Sequence, residues 1–358
     1  MNNQEIISHS IDRLRFPLTC GVVFIHCQIK GDMAVSGQSV PTPDALWYDA
    51  IINLFSYVIP SIAVPIFFII SGYLFFKEGT FNKNLYLTKL KKRFRTLVIP
   101  YLIWNTFAVL IFIFIRIPAF HSWFPNTSLD EITIPKLLSG GYWARQGDGF
   151  PFDFPLWYVR ELIVMVIISP LLYAAVKKTR GLFLIFLTIC YFFLVMPKGF
   201  NYTLTACLFF SLGIYVRCHP ITIDYVKRMN FIKYVYLLLA VVDLYTATYG
   251  LCQINRYVHL LTIFSGILTV FNYMFLSANK MKGRSYFNEE VFFIYASHGL
   301  FIGFLMKAVL KFAQPTSEIE FLVIYFLIPI LMIAVSIGMY RCMKRMMPKV
   351  LSVLVGGR

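Results

Sequence analysis

Apolar runs long enough to cross a hydrocarbon layer recur ten times in this sequence, at roughly residues 14–30, 51–76, 97–117, 156–176, 181–197, 202–217, 233–250, 257–278, 289–309 and 321–341. A helix needs about 20 mostly apolar residues to span a core ~30 Å thick. The expectation is an all-α, polytopic membrane protein: a bundle of about ten transmembrane helices with both termini cytoplasmic. Residues 1–358 should form one membrane-embedded domain, with no room for a separate soluble one.

Composition agrees. Only 14% of the residues are charged and 58% are hydrophobic, against about 25% charged in soluble domains. The net charge of +16 would suggest nucleic acid as a partner of a soluble protein. Here the cations sit between the apolar runs, where the positive-inside rule accounts for them. With the N-terminus inside, 24 of the 33 Lys and Arg fall on inner segments. Membrane lipids are therefore expected partners and nucleic acid is not. The seven cysteines lie mostly within apolar runs and form no CxxC pair, so neither a metal site nor a disulfide framework is expected. Arg13 and Arg15 followed by Phe16–Ile25 also describe a secretory signal, with Ala34-Val35-Ser36 as a cleavage-like site. His26 and Lys30 interrupt that pattern, and the first helix is expected to be retained.

Ionisable groups within a membrane mark functional sites by default. Arg15 and His26 are eleven residues apart in the first run, about 20° apart around a helix and ~16 Å along it. A guanidinium at the inner mouth and a deeper imidazole would then line one path. Arg15, braced by Asp12 three residues earlier, suits phosphate oxygens; His26 suits a general base. Read alone, a buried His that only bonds a neighbouring helix and an Arg that only anchors the inner boundary remain open. The run Lys91-Lys92-Arg93-Phe94-Arg95-Thr96 puts dense positive charge at the inner start of the third helix. Such a cluster attracts an anionic cofactor or lipid, and also serves topology.

At the outer end of the fourth helix, Arg160 and Glu161 project about 100° apart and cannot both face lipid. One or both should line an outer cavity, where Trp157 offers a stacking face for a sugar or sits in the interfacial aromatic belt. Asp243 lies mid-span and must pair or be protonated. His298, about halfway along the ninth helix, can share a cavity with His26. Ser71-Gly72-Tyr73 permits close helix approach. His9, His121, His219 and His259 lie at ends or loops without metal-ligand spacing. Residues 31–50 read as an irregular outer connection. The loop 118–155, with Trp123, Tyr142, Trp143, Arg145, Asp148 and Asp153, has a composition suited to a sugar-like ligand.

With these residues in hand, the chain resembles the acyltransferase 3 family of bacterial membrane proteins. The matching pieces are Asp12-x-x-Arg15-x10-His26, Phe67–Leu74 with Ser71-Gly72-Tyr73, the Arg93–Trp104 run with Ile99-Pro100-Tyr101, Pro155-Leu156-Trp157-Tyr158 and Ile294-Tyr295-x-x-His298. They span nearly the whole chain in order. The resemblance implies a ten-helix enzyme of the bacterial inner membrane. It would take an acyl group, usually acetyl, from cytoplasmic acyl-coenzyme A to a hydroxyl of a cell-surface glycan or lipid-linked glycan, without a metal. It implies His26 as the catalytic histidine, Arg15 as its motif partner, and Arg93 and Arg95, with Lys92 beside them, as contacts to the coenzyme A phosphates. Trp157, Arg160, Glu161 and His298 are the expected substrate-side residues. The sequence leaves open whether His26 acts as a direct base or through a transient acyl group. Ser71, Tyr73 and His298 are all candidate oxyanion donors. Since the sequence ends at Arg358 after the tenth run, a second transfer step is expected to need another protein.

The main rival is a transporter or flippase of a polysaccharide precursor or small anion, which would also use many helices, a midplane carboxylate and buried histidines. Matching breaks in two halves of the chain are absent, with Pro329 only a partial mate for Pro60 and Pro65. A scaffold that assists export without chemistry is the third reading.

Overall fold

The computed structural model describes residues 3–31, 33–35, 38–76, 81–115, 133–144, 149–195, 197–219, 228–277 and 286–357. Each of the ten apolar runs is helical: α1 (Asn3–Ile25), α2 (Leu46–Phe75), α3 (Lys83–Phe114), α5 (Phe154–Thr179), α6 (Leu182–Phe193), α7 (Lys198–Cys218), α8 (Ile232–Thr248), α9 (Cys252–Ser277), α10 (Val291–Ala313) and α11 (Glu318–Met346). Two short helices, α4 (Ile134–Tyr142) and α12 (Pro348–Leu354), complete the described helices. Seven of these helices are long and apolar enough to cross a membrane. Of the other runs, α6 and α8 have only 12 and 17 residues. Helix α1 carries Asp12, Arg13 and Arg15 within its length.

Several helices overrun the apolar stretch that announces them. Helix α2 begins at Leu46, so the connection read as 31–50 is shorter than expected; it holds a two-stranded antiparallel hairpin, β1 (Met33–Val35) and β2 (Gln38–Val40), with Met33 opposite Val40. Helix α3 begins at Lys83, where Asn82 caps it by accepting from the backbone N–H groups of Asn84 and Leu85. Its first turns are basic and carry no lipid-spanning signal. Helix α1 stops at Ile25, and His26 occupies the turn after it, closed by the N–H of His26 on Val23 O (3.1 Å) and of Cys27 on Phe24 O (3.2 Å).

Helix α7 packs against α2, α5 and α6, α8 pairs with α9, and α10 with α11. The α2–α7 contact is backbone on backbone. A Cβ built on Gly72 would lie 2.1 Å from Phe210 O, and one on Gly213 would lie 2.2 Å from Ile69 O. This is the close approach read from Ser71-Gly72-Tyr73. Large apolar side chains such as Phe186, Leu238, Val241 and Ile330 remain exposed on the outside of the bundle, as a lipid-facing surface requires.

The connection before α5 turns inward. Arg160, 4% exposed, donates from Nη1 to the carbonyl oxygens of Trp143 and Gly149 (3.0 Å for Gly149). Tyr101 donates to Tyr142 O, and the Asp153 N–H donates to Asn105 Oδ1 at 3.3 Å. The described part of this loop is thereby drawn into the bundle. Trp123, His121, Arg145 and Asp148 lie outside the described residues.

Candidate active site

Helix periodicity builds the first cavity. Residues Arg15, Thr19 and Val22 share one stripe of α1, and they line a cavity of about 310 Å³ with Ser71 and Phe67 of α2, Arg93 and Leu97 of α3, Tyr158 of α5, and Phe292 and Tyr295 of α10. Arg15 is held by Asp12 at 3.4 Å, the i,i+3 brace read from the sequence. Ser71 Oγ and Tyr158 Oη lie 3.2 Å apart in its wall. Tyr73 faces elsewhere: its hydroxyl accepts from Arg217 Nη1 at 2.9 Å.

His26 continues the Arg15 stripe one turn beyond the cavity lining, and the connection passes through α10. Tyr295 lines the cavity and donates to Pro155 O. Its ring centroid is 6.0 Å from that of His298, which is stacked 5.4 Å from His26. Phe154 closes the other side of His26, edge-on at 4.6 Å. His298 is fully buried, its Nδ1 lies 3.3 Å from Ile294 O, and its Nε2 has no hydrogen-bond partner. A buried imidazole nitrogen without a protein partner is uncommon and marks His298 as a candidate site residue.

Asp153 is a residue that sequence reasoning listed only as loop composition. It is fully buried, both carboxyl oxygens lack hydrogen-bond partners, and Oδ1 lies where a Cβ on Gly299 would be only 2.4 Å away. Gly299 follows His298 directly, so the carboxyl sits over the turn of α10 that carries His298. Burial holds its pKa well above the usual carboxylate range.

The basic cluster divides between two recesses. At about 100° per residue, Thr88, Lys91, Lys92 and Arg95 share a face of α3. They line a groove of about 570 Å³ whose opposite wall is Ser352, Gly356 and Gly357 from the C-terminal segment. Arg93 points the other way, into the Arg15 cavity. The C-terminal wall is fixed by Trp104 Nε1 donating to Leu354 O (3.1 Å) and by Gly356 at φ +68°, where a Cβ would meet Thr96 O at 2.5 Å. Both recesses have a cationic lining of the kind that suits phosphate oxygens.

Arg160 and Glu161 pair with each other, Nη2 to Oε1 at 2.9 Å, and both are buried. The guanidinium also holds the loop carbonyls. Trp157 is half-buried with its ring 4.5 Å from Tyr202. Asp243 pairs with Asn255 Nδ2 (2.7 Å) and His259 Nδ1 (2.8 Å). His259, read as a terminal residue, is thus a partner inside the bundle. Among the described residues no cluster of His, Cys, Asp and Glu has the makings of a metal site.

A cavity walled by Arg15 and Arg93, with the stacked His26 and His298 beside its Tyr295, makes a candidate group-transfer site within apolar helices. The family model described as acyltransferase domain matches residues 8–341. The chain belongs to the acyltransferase 3 family, and it is an integral membrane acyltransferase. That membership sets aside the transporter and scaffold readings. The chain is similar to the succinoglycan biosynthesis protein ExoH of Rhizobium meliloti (strain 1021), 26% identical over 365 residues that cover 98% of this chain and 93% of that protein. No solved structure matches the chain.

Proposed function

We propose that this protein moves an acyl group, acetyl in the simplest case, from cytoplasmic acyl-coenzyme A to a hydroxyl of a polysaccharide or its lipid-linked precursor at the bacterial inner membrane. Both termini lie on the donor side in this reading. The observation that carries it is the succession of Arg15 and Arg93 at one cavity, Tyr295 at its wall, and the His298–His26 stack beside Tyr295. The relative's name, a succinoglycan biosynthesis protein, supports a polysaccharide acceptor.

The donor's phosphates are held by Lys92 and Arg95 in the groove, and its arm enters the cavity past Arg93 and Arg15. His26 takes the proton of the acceptor hydroxyl as that oxygen attacks the thioester carbonyl carbon. The C–S bond then breaks, and the departing thiolate receives the proton from the imidazolium. If an acyl-imidazole forms first, the same nitrogen carries it. Trp157 and His298 contact the acceptor, while the Arg160–Glu161 pair shapes its side of the site.

The test is acyl transfer by purified protein in nanodiscs, read as acyl-coenzyme A consumption and as mass gain of the glycan. His26→Ala should fold and lose roughly 10²–10⁴ in kcat, the usual worth of a general base. Full activity in that variant would overturn the mechanism.

A further inference from the structure

A third recess, polar but not cationic, lies where α2 starts, α8 ends and α9 starts. It measures about 240 Å³, and Asn53, Tyr57, Thr246, Gly250, Cys252 and Asn255 line it. Behind this wall stands Asp243, fully buried and bonded to Asn255 and His259. The His259 ring stacks on Tyr57 at 4.0 Å, and Tyr57 donates to Asn255 Oδ1 at 2.8 Å. Asn255 also reaches Thr246 Oγ1 at 3.0 Å. Two amides and two hydroxyls thus line one opening, backed by a carboxylate and an imidazole, at the helix ends of a protein whose flanks are apolar.

The wall is tied to the catalytic histidine. Asn53 precedes, and Tyr57 belongs to, a π-helical turn within α2 at Leu54–Val58; such turns recur at functional sites. Ser56 of that turn donates to Phe24 O at 2.6 Å, two residues before His26, and Lys30, four residues after it, donates to Asn53 Oδ1 at 2.9 Å. The recess and the turn that holds His26 are therefore one hydrogen-bonded unit.

We propose that this recess is an acceptor subsite that takes one sugar unit of the glycan away from the hydroxyl being acylated. The inference rests on the acyl-transfer reading above. Its lining offers neutral donors and acceptors, and the charge of Asp243 is already answered by His259 and Asn255, which suits a polyhydroxylated ring rather than an anion. A remote sugar held here fixes which hydroxyl reaches His26, since binding away from the reacting atoms orients the acceptor.

Cys252 at the rim reports occupancy directly. In the full-length protein carrying Cys342→Ser, to remove the other exposed thiol, maleimide labelling of Cys252 is followed with and without neutral oligosaccharides from the producing cell's surface polysaccharide. Protection by the oligosaccharides but not by acyl-coenzyme A is expected. Ala247 also lines the recess, and Ala247→Trp, which fills it, should raise the acceptor KM about tenfold, the equivalent of one or two lost hydrogen bonds, with donor KM near wild type. Unprotected Cys252 overturns the subsite, as does an Ala247→Trp variant with unchanged acceptor KM or with donor and acceptor terms falling together with its melting temperature. Absence of any transfer by wild type would instead defeat the acyl-transfer reading, and the labelling result would still decide the recess.

Discussion

His26 and His298 stack with an interplanar angle of 26°, one ring from the turn after α1 and the other from the third turn of α10. Neither position is meaningful without the other: the contact joins α10 to the turn after α1, far apart in sequence, beside Tyr295 in the wall of the Arg15 cavity.

Two residues that act as a unit lose function together rather than additively. His298→Ala should therefore lower kcat by less than His26→Ala, and the double variant should be no slower than His26→Ala alone. Initial rates of transfer for the three variants check this. Multiplying losses would show that the rings work separately.

The division of the basic cluster predicts different donor phenotypes. Arg95→Ala removes a charge-assisted contact, worth about 1.5–3 kcal/mol, and should raise the KM for acyl-coenzyme A by roughly 10- to 100-fold. A shortened acyl-pantetheine donor, lacking the nucleotide, should be indifferent to that change. Arg93→Ala, inside the cavity, should impair both donors. Equal effects of Arg95→Ala on the two donors would refute the separation.

Asp153 predicts a pH effect with a definite sign. Its folded pKa is raised, so the folded state keeps a proton that the unfolded chain releases above about pH 4. Stability is therefore lost as pH rises from there toward the folded pKa. Asp153→Asn removes that loss, and melting temperatures in detergent should favour the variant at pH 7 and converge near pH 4. A stabilised variant that no longer transfers would mark the carboxyl as kept for chemistry.

Gly356 and Gly357 have nearly the same positive φ, +68° and +69°, but only Gly356 is pressed against Thr96. Alanine at either position costs about 1–2 kcal/mol for the left-handed backbone. Gly356→Ala also forces the tail off α3, breaking the Trp104–Leu354 hydrogen bond. Faster proteolysis of the tail and altered tryptophan fluorescence are expected for Gly356→Ala and not for Gly357→Ala.

Much of the helical layout is legible in hydropathy, because a span must be apolar over its whole length. Ends are not, since a helix such as α3 continues into water on basic residues that no apolar window detects. The Asp12–Arg15 brace and the small-residue approach of α2 were readable from local spacing. Asp153 was not, because its burial comes from Arg160 pulling a loop inward through backbone carbonyls. Asp243 and His259 are likewise partners across two helices, and within-helix periodicity cannot see such a pair. His26 was placed on a helix because it falls within the run 14–30, while the chain leaves the helix after Ile25.

At the crossing of Gly72 and Gly213, main chain touches main chain with no side chain between. Two rods pressed together in this way have nothing that can swing aside, so α2 and α7 form a fixed hull. If a donor arm enters as proposed, it is admitted by the opposite flank, where Arg15 and Glu289 bring long, jointed side chains to the cavity lining. The enzyme's door and its frame are thus written in different residue sizes.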